Sequence, residues 1–193
     1  MTGTEIRLIA PPREAVPHPV DPREYAVDAQ SRDGTYVHVR AIRPDDRKRL
    51  RENFHRLSDD SVYARFLGPK KDLTEADLDF FTNVVPDEHV GLVATAWEDG
   101  RERIVGVGRY MTDEPDGVSA EVAFTVLDDY QNRGIGTLLF EHLVELARER
   151  GVDELWADMW PDNRRMMGIF ERSGYPLEKS FDGSVVRVHL MIG

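Results

Sequence analysis

Between Thr35 and Arg43 the chain reads TYVHVRAIR, an alternation of apolar and polar positions that predicts a half-buried strand, stopped by Pro44. Asp45 and Asp46 suit a first helical turn, and Leu50, Phe54 and Leu57 recur at spacings of four and three, so one stripe of that helix should be buried. A second short helix is predicted over Asp60 to Leu67, ahead of Gly68-Pro69. A third starts at Thr74, whose hydroxyl caps the first turn while Leu73 staples onto Leu78; it should carry Phe80 and Phe81 inward. Three strands follow, His89 to Trp97, Arg103 to Thr112 and Val118 to Leu127. The turns Glu98-Asp99-Gly100 and Glu114-Pro115-Asp116-Gly117 separate them, which predicts an antiparallel meander.

Ile135, Leu138, Leu139, Leu143, Leu146 and Ala147 then mark the strongest helical stripe, with Arg148 and Arg150 at the negative end and Gly151 in the left-handed cap position. Glu154 to Trp160 reads as a strand, Asp162 to Ser173 as a helix closed by Gly174, and Tyr175 to Phe181 with Val185 to Met191 as a hairpin around Asp182-Gly183. This order predicts an α+β (mixed α/β) fold, one domain spanning residues 35–193, with no internal repeat. Residues 1–34 contain Pro11, Pro12, Pro17, Pro19 and Pro22 and sustain neither period, so they read as an N-terminal Pro-rich arm.

Composition narrows the function. Apolar residues are 40% and charged residues 32% of 193, the balance of a soluble globular chain, and no apolar run approaches the ~20 residues of a membrane helix or resembles a secretory signal. A cytoplasmic location is expected. The absence of cysteine excludes disulfides, thiolate zinc sites and a cysteine nucleophile. A net charge of −11 argues against nucleic acid as a partner. The six histidines show no ligand spacing, so no metal is expected, and His142 falls on the polar, solvated face of its helix.

Candidate chemistry concentrates in residues 120–137, AEVAFTVLDDYQNRGIGT. A strand runs into Gln131, Asn132, Arg133, Gly134, Ile135, Gly136 and Thr137, which open the strongest helix. The N–H groups of a helix start are unsatisfied and partly positive, and glycines let the backbone approach a ligand, so this turn suits a pyrophosphate. Arg133 adds a full charge and the Thr137 hydroxyl a donor. Such glycines also serve as tight-turn and packing residues. There is no Gly-Lys-Ser/Thr of an NTPase loop, and the third glycine of the dinucleotide pattern is missing.

Gln131-x-x-Gly134-x-Gly136 after a strand resembles the acetyl-CoA signature of the GNAT superfamily of acetyltransferases, and the order of elements from Thr35 to Gly193 is similar to that fold. Asn163, Met166, Phe170 and Gly174-Tyr175 fall at the family's spacing for the helix beside the pantetheine arm. Arg40 to Asp46, Tyr63-x-Arg65-Phe66-Leu67-Gly68-Pro69, Val105 to Tyr110 and Ser119 to Ala123 narrow the resemblance to the catalytic domains of bacterial protein lysine acetyltransferases of the Pat type. It implies a twisted, mostly antiparallel sheet of about seven strands flanked by helices. It also implies acetyl-CoA as cosubstrate and a lysine acceptor on a protein, with AMP-forming acyl-CoA synthetases as candidate partners. Domains of that group often sit beside a nucleotide-binding or synthetase-like regulatory domain, and none is read within these residues.

The resemblance places the general base at Glu121, the main-chain contacts to pantetheine at Phe124 and Val126, and a further contact at Asn163. Each has a competing role. Glu121 in an apolar strand could instead pair with a buried arginine such as Arg109, and Asn163 could simply begin a helix. Phe170 stands where many family members have a tyrosine acid, and it cannot donate a proton. A small-molecule amine acetyltransferase would share every cofactor feature, and a non-catalytic acetyl-CoA sensor would not need Glu121.

Overall fold

The computed structural model describes residues 21–85, 88–112 and 117–193. Eight strands form one sheet in the order β1-β2-β3-β4-β5-β6-β8-β7. They are β1 Ala26–Gln30, β2 Tyr36–Ala41, β3 His89–Glu98, β4 Arg101–Thr112, β5 Ser119–Val126, β6 Glu154–Met159, β7 Leu177–Asp182 and β8 Val185–Met191. Every neighbouring pair is antiparallel except β5 and β6. The helices are α1 Arg47–His55, α2 Asp59–Phe66, α3 Glu75–Thr82, α4 Ile135–Glu149 and α5 Arg164–Arg172.

The sheet has a core on each face. On one, Leu139, Leu143 and Phe140 of α4 pack with Leu92, Tyr110 and Val122, and Phe170 of α5 joins them. On the other, Leu50 and Phe54 of α1, Val62 of α2 and Leu78 of α3 cover Val93 and Val107. Gly106 and Gly108 let α4 lie close on β4, because an added Cβ at either would meet Leu139 or Leu143 at 3.0 Å.

Local chemistry explains the helix ends. Ser58 accepts from the Ser61 N–H to cap α2, and Thr74 with Asp77 forms a capping box on α3. Gly151 closes α4 at φ 81°. Between β2 and α1 the buried Asp46 carboxylate accepts two bonds from Arg40, at 2.7 and 2.8 Å, and one from the Arg43 N–H. That pair fixes the path from the sheet into the helical layer.

Three expectations are corrected. The sheet has an eighth strand, β1, within residues 26–30 of the stretch read as an arm; the proline-rich residues 1–20 lie outside the described residues. Its five residues AVDAQ hold few strand formers and no clean alternation of apolar and polar types, and its pairing from Ala26–Arg40 to Gln30–Tyr36 supplies what propensity does not. Phe80 is 52% exposed, because the buried stripe of α3 runs through Leu78 and Thr82 and turns only Phe81 partly inward. His142 is not solvated: its Nδ1 meets the Tyr25 hydroxyl at 2.5 Å and its Nε2 is buried.

Candidate active site

A cleft opens where two parallel strands stop pairing. β5 and β6 are in register from Ser119–Glu154 to Glu121–Trp156, yet β5 runs on to Val126 and β6 to Met159. Alternate residues of an antiparallel strand turn their N–H and C=O groups toward the partner. The Leu127 N–H donates to the Val105 carbonyl, so the odd-numbered residues of β5 face β4. Val118 accepts from Asp153 and Glu154 on the other side, and the even-numbered residues share that direction. The main-chain groups of Phe124 and Val126 therefore point into the wedge between the parted strands. Gln131 Nε2 takes the Val126 carbonyl at 3.0 Å.

The loop after β5 ends the wedge. Asn132 and Gly134 have φ of 60° and 95°, and α4 opens at Ile135 with no side-chain cap. Its first N–H groups lack intrahelical partners and carry the helix's partial positive charge. A Cβ on Gly136 would lie 3.0 Å from Ile169 and 3.8 Å from Phe124 and Val126, so glycine here keeps the floor between β5 and α5 open. Gly134 is required by its backbone angle and by the Arg32 nitrogen 3.1 Å from where a Cβ would sit.

The cleft measures about 580 Å³. Glu121, Phe124 and Val126 line it from the strand; Gln131, Asn132, Gly134, Gly136 and Thr137 line it from the loop and helix; Asn163 lines it from the far side. Two candidates stand apart. Ile135 is buried in the core, and Arg133 turns to Asp33 at 3.9 Å and lies over the Tyr130 ring. Asn163 caps α5, its Oδ1 accepting from the Met166 N–H at 3.1 Å, while it still borders the cleft. A hollow of about 650 Å³ beside α1 is lined by paired charges such as Arg47 with Glu75, and offers no comparable helix start or parted strand edge.

Glu121 shares its sheet face with Ala123, Thr125, Met111 and Arg109. Arg109 donates to His89 Nε2 at 3.2 Å and stacks on the Phe81 ring at 4.1 Å. Burial lowers the Arg109 guanidinium, and the Arg65 charge lowers it further. Arg65, from α2, lines the same cleft as Glu121, and the Glu121 charge opposes the effect of burial on it. Burial, with the Arg109 charge beside it, pushes the His89 ring down to about 3, so it is a neutral acceptor at physiological pH.

Helix α2 is tied to the loop. Asp128 accepts from the Ser58 N–H and hydroxyl at 2.9 and 2.7 Å and from the Ser61 hydroxyl at 2.9 Å, and Gln131 donates to Ser61 at 3.0 Å. Four arginines line the cleft, Arg32 beside Gly134 at the helix start, and Arg164, Arg165 and Arg172 from α5. They form a basic rim on a chain of net charge −11.

Residues 51–175 match the acetyltransferase (GNAT) family, a span that holds the parted strands, the glycine loop and α5. The chain belongs to the GNAT acetyltransferase family. Among curated relatives, an acetyltransferase of Pseudomonas aeruginosa is 33% identical over 157 residues, 81% of this chain and 84% of its own. The acetyltransferase Pat of Mycolicibacterium smegmatis is 32% identical over 148 residues, 77% of this chain; this GNAT chain spans 44% of that longer protein. The crystal structure of the GNAT domain of S. lividans PAT superposes with a TM-score of 0.77 at 35% identity, covering 86% of this chain and 96% of that one.

As a GNAT acetyltransferase the chain has cleft-lining residues that the sequence patterns did not single out. Arg164 and Arg165 follow Asn163 directly within the second motif block, which was signal enough to find them. Arg32 comes from the β1–β2 turn, and only the fold shows that this turn reaches Gly134. Among the described residues no cluster of potential metal ligands occurs, and no helix is long and apolar enough to cross a membrane.

Proposed function

We propose that this chain moves an acetyl group from acetyl-CoA to a lysine side chain of a protein, with Glu121 as the general base. The observation that carries the reading is the position of Glu121, at the last paired position before β5 and β6 part and on the wall of the cleft they open.

The cleft suits acetyl-CoA. The uncapped start of α4 and the Gly136 floor accommodate a pyrophosphate, Arg32, Arg164 and Arg165 supply charge for further phosphate, and Phe124 and Val126 offer main-chain groups to the pantetheine amides. When bound, acetyl-CoA supplies an activated acetyl thioester. Glu121 takes the proton from the acceptor ammonium, whose reference pKa of ~10.4 keeps it charged at neutral pH. The acceptor nitrogen bonds to the acetyl carbon as the carbon–sulfur bond breaks, and the departing CoA thiolate takes a proton from solvent; direct attack agrees with a chain that has no cysteine to carry the acetyl group. Phe170 is fully buried against Phe124 and Phe140 and serves packing, not proton donation. The likeness to the Pat relatives supports a protein acceptor, with AMP-forming acyl-CoA synthetases as partners to try first; the composition supports a cytoplasmic setting.

Purified protein with labelled acetyl-CoA, offered free amines and a cell lysate in parallel, tests the acceptor. Label on protein lysines is expected. Label confined to small amines would make this a small-molecule N-acetyltransferase, and acetyl-CoA binding without transfer to anything would make it a sensor.

A further inference from the structure

Helix α2 turns one stripe into the cleft. Ser61, Ala64 and Arg65 line it, and spacings of three and four put them on one face of the helix. Ser61 marks the loop end, where its hydroxyl donates to Asp128 and accepts from Gln131. Arg65 lies one turn further on, about 6 Å along the helix axis. There the Glu121 charge reaches it.

The wall around Glu121 holds more positive than negative charge. Arg109, on the sheet face that Glu121 shares, is 2% exposed, and its Nε is buried without a partner. The ring it donates to, His89, is neutral. The Arg65 charge acts on Arg109, so the two guanidinium groups are neighbours. Among the described residues neither arginine comes within ion-pair distance of a carboxylate, and Arg65 donates no hydrogen bond; its guanidinium lies 5.2 Å from the centre of the Phe66 ring. Two carboxylates besides Glu121 line the cleft, and neither offsets these cations. Asp158 is committed to Arg187 through bonds at 2.8 and 2.7 Å, and Asp60 sits in the exposed first turn of α2. A cation drawn out of water without its counter-charge is costly, so this wall is complete only when an anion joins it.

Acetyl-CoA does not bring that anion here. Its phosphates belong at the start of α4, at the other end of the cleft, and its thioester is neutral. An acceptor ammonium adds a further positive charge. The anion therefore comes with the acceptor, beside its amine. We propose that Arg65 is the specificity-determining residue of an anion subsite next to Glu121, which takes a carboxylate carried by the acceptor: an aspartate or glutamate adjoining the acetylated lysine. A guanidinium holds a carboxylate through two parallel bonds, which fixes orientation as well as charge. Glu121 and Arg65 together read a pair of opposite charges on the acceptor. The inference rests on the acetyl-transfer reading and deepens it by naming the chemistry that flanks the acceptor amine. A free amino acid offers the same chemistry through its own carboxylate, and the test separates the two sources.

kcat/KM is measured for two peptides that differ only in a glutamate or a glutamine beside the lysine, and for free lysine against the diamine that lacks its carboxylate. The proteins are the wild type, Arg65→Lys, Arg65→Gln and Arg65→Glu, each with acetyl-CoA affinity by calorimetry and a melting temperature. The wild type should prefer the glutamate peptide by about tenfold or more. Arg65→Lys should keep part of that preference, Arg65→Gln should abolish it and Arg65→Glu should reverse it, with acetyl-CoA affinity near wild type throughout. A structural role for Arg65 gives no reversal. A preference confined to free lysine, and lost in Arg65→Gln, keeps the subsite and overturns the protein acceptor. Three results overturn the subsite: no preference in the wild type for either pair, an unchanged preference in a folded Arg65→Gln protein, or an equal loss for both members of each pair, which would mean that Arg65 acts on Glu121 alone. Should Arg65→Glu fail to fold, the other two variants decide. If the wild type acetylates no amine, the acetyl-transfer reading falls and the subsite with it, a result distinct from transfer without charge preference.

Discussion

Glu121 and Trp156 are the last residues paired between β5 and β6, and the strands part directly beyond them. One carboxylate thus stands at the apex of a wedge whose edge is the backbone of Phe124 and Val126 and whose far end is the bare start of α4.

Gly136 and Gly134 should fail in different ways. Gly136→Val puts bulk against Ile169, Phe124 and Val126 on the cleft floor. Acetyl-CoA affinity measured by calorimetry should fall at least about tenfold, with the melting temperature lowered only modestly. Gly134→Ala forces a Cβ onto φ 95° against the Arg32 backbone, so it should lose about 1 kcal/mol or more of stability in a denaturation curve.

The Arg40–Asp46 pair should dominate acid sensitivity in the helical layer. Burial alone would raise the Asp46 carboxyl, but the bonds and charge of Arg40 outweigh it and hold it below the ordinary carboxylate range. A carboxyl lowered in the folded state stabilises above its unfolded pKa, and that contribution is lost as pH falls below about 4. Asp46→Asn leaves Arg40 buried with half its fork unpaired, and urea denaturation at pH 7 should show a loss of about 3 kcal/mol or more. The gap between variant and wild type should narrow in acid.

His89 should stay neutral where an ordinary histidine is half charged. Its ring, 6% exposed and beside Arg109, is pushed down to about 3. NMR of the ring proton should show no titration between pH 8 and 5. Because the unfolded chain binds this proton near pH 6.5 and the folded one does not, His89 contributes stability above that pH that is lost progressively below it. A midpoint near 6.5 for this ring would contradict the packing described.

Seven of the eight strands, all five helices and the glycine loop were legible because each is local. Alternation marks β2, turn residues bound β3 to β5, the Leu139 and Leu143 stripe marks α4, and Gly134 with Gly136 stands at the strand-to-helix turn after β5. What was hidden depends on partners distant in sequence. β1 is a strand because β2 offers an edge, not because Ala26-Val27-Asp28-Ala29-Gln30 prefers one. His142 sits on the polar side of α4 by period, but Tyr25 covers it. Arg32 beside Gly134 and Trp160 against Tyr63 likewise needed the fold. Arg109 contacts His89 and Phe81, and the arginine whose charge couples to Glu121 is Arg65, so the alternative of a structural charge partner for Glu121 passes from Arg109 to Arg65.

The proposed mechanism depends on Glu121 as general base, and Glu121→Gln tests it with little change of shape. The measurement is kcat for acetyl transfer across pH 6.5 to 10, with acetyl-CoA affinity and melting temperature on the same samples. Turnover at neutral pH should fall by on the order of 10²–10⁴ while affinity and stability stay near wild type, and the deficit should shrink toward pH 10 as more acceptor amine is already neutral. Full activity in the folded variant, or a loss equal at every pH with a lowered melting temperature, would contradict the account.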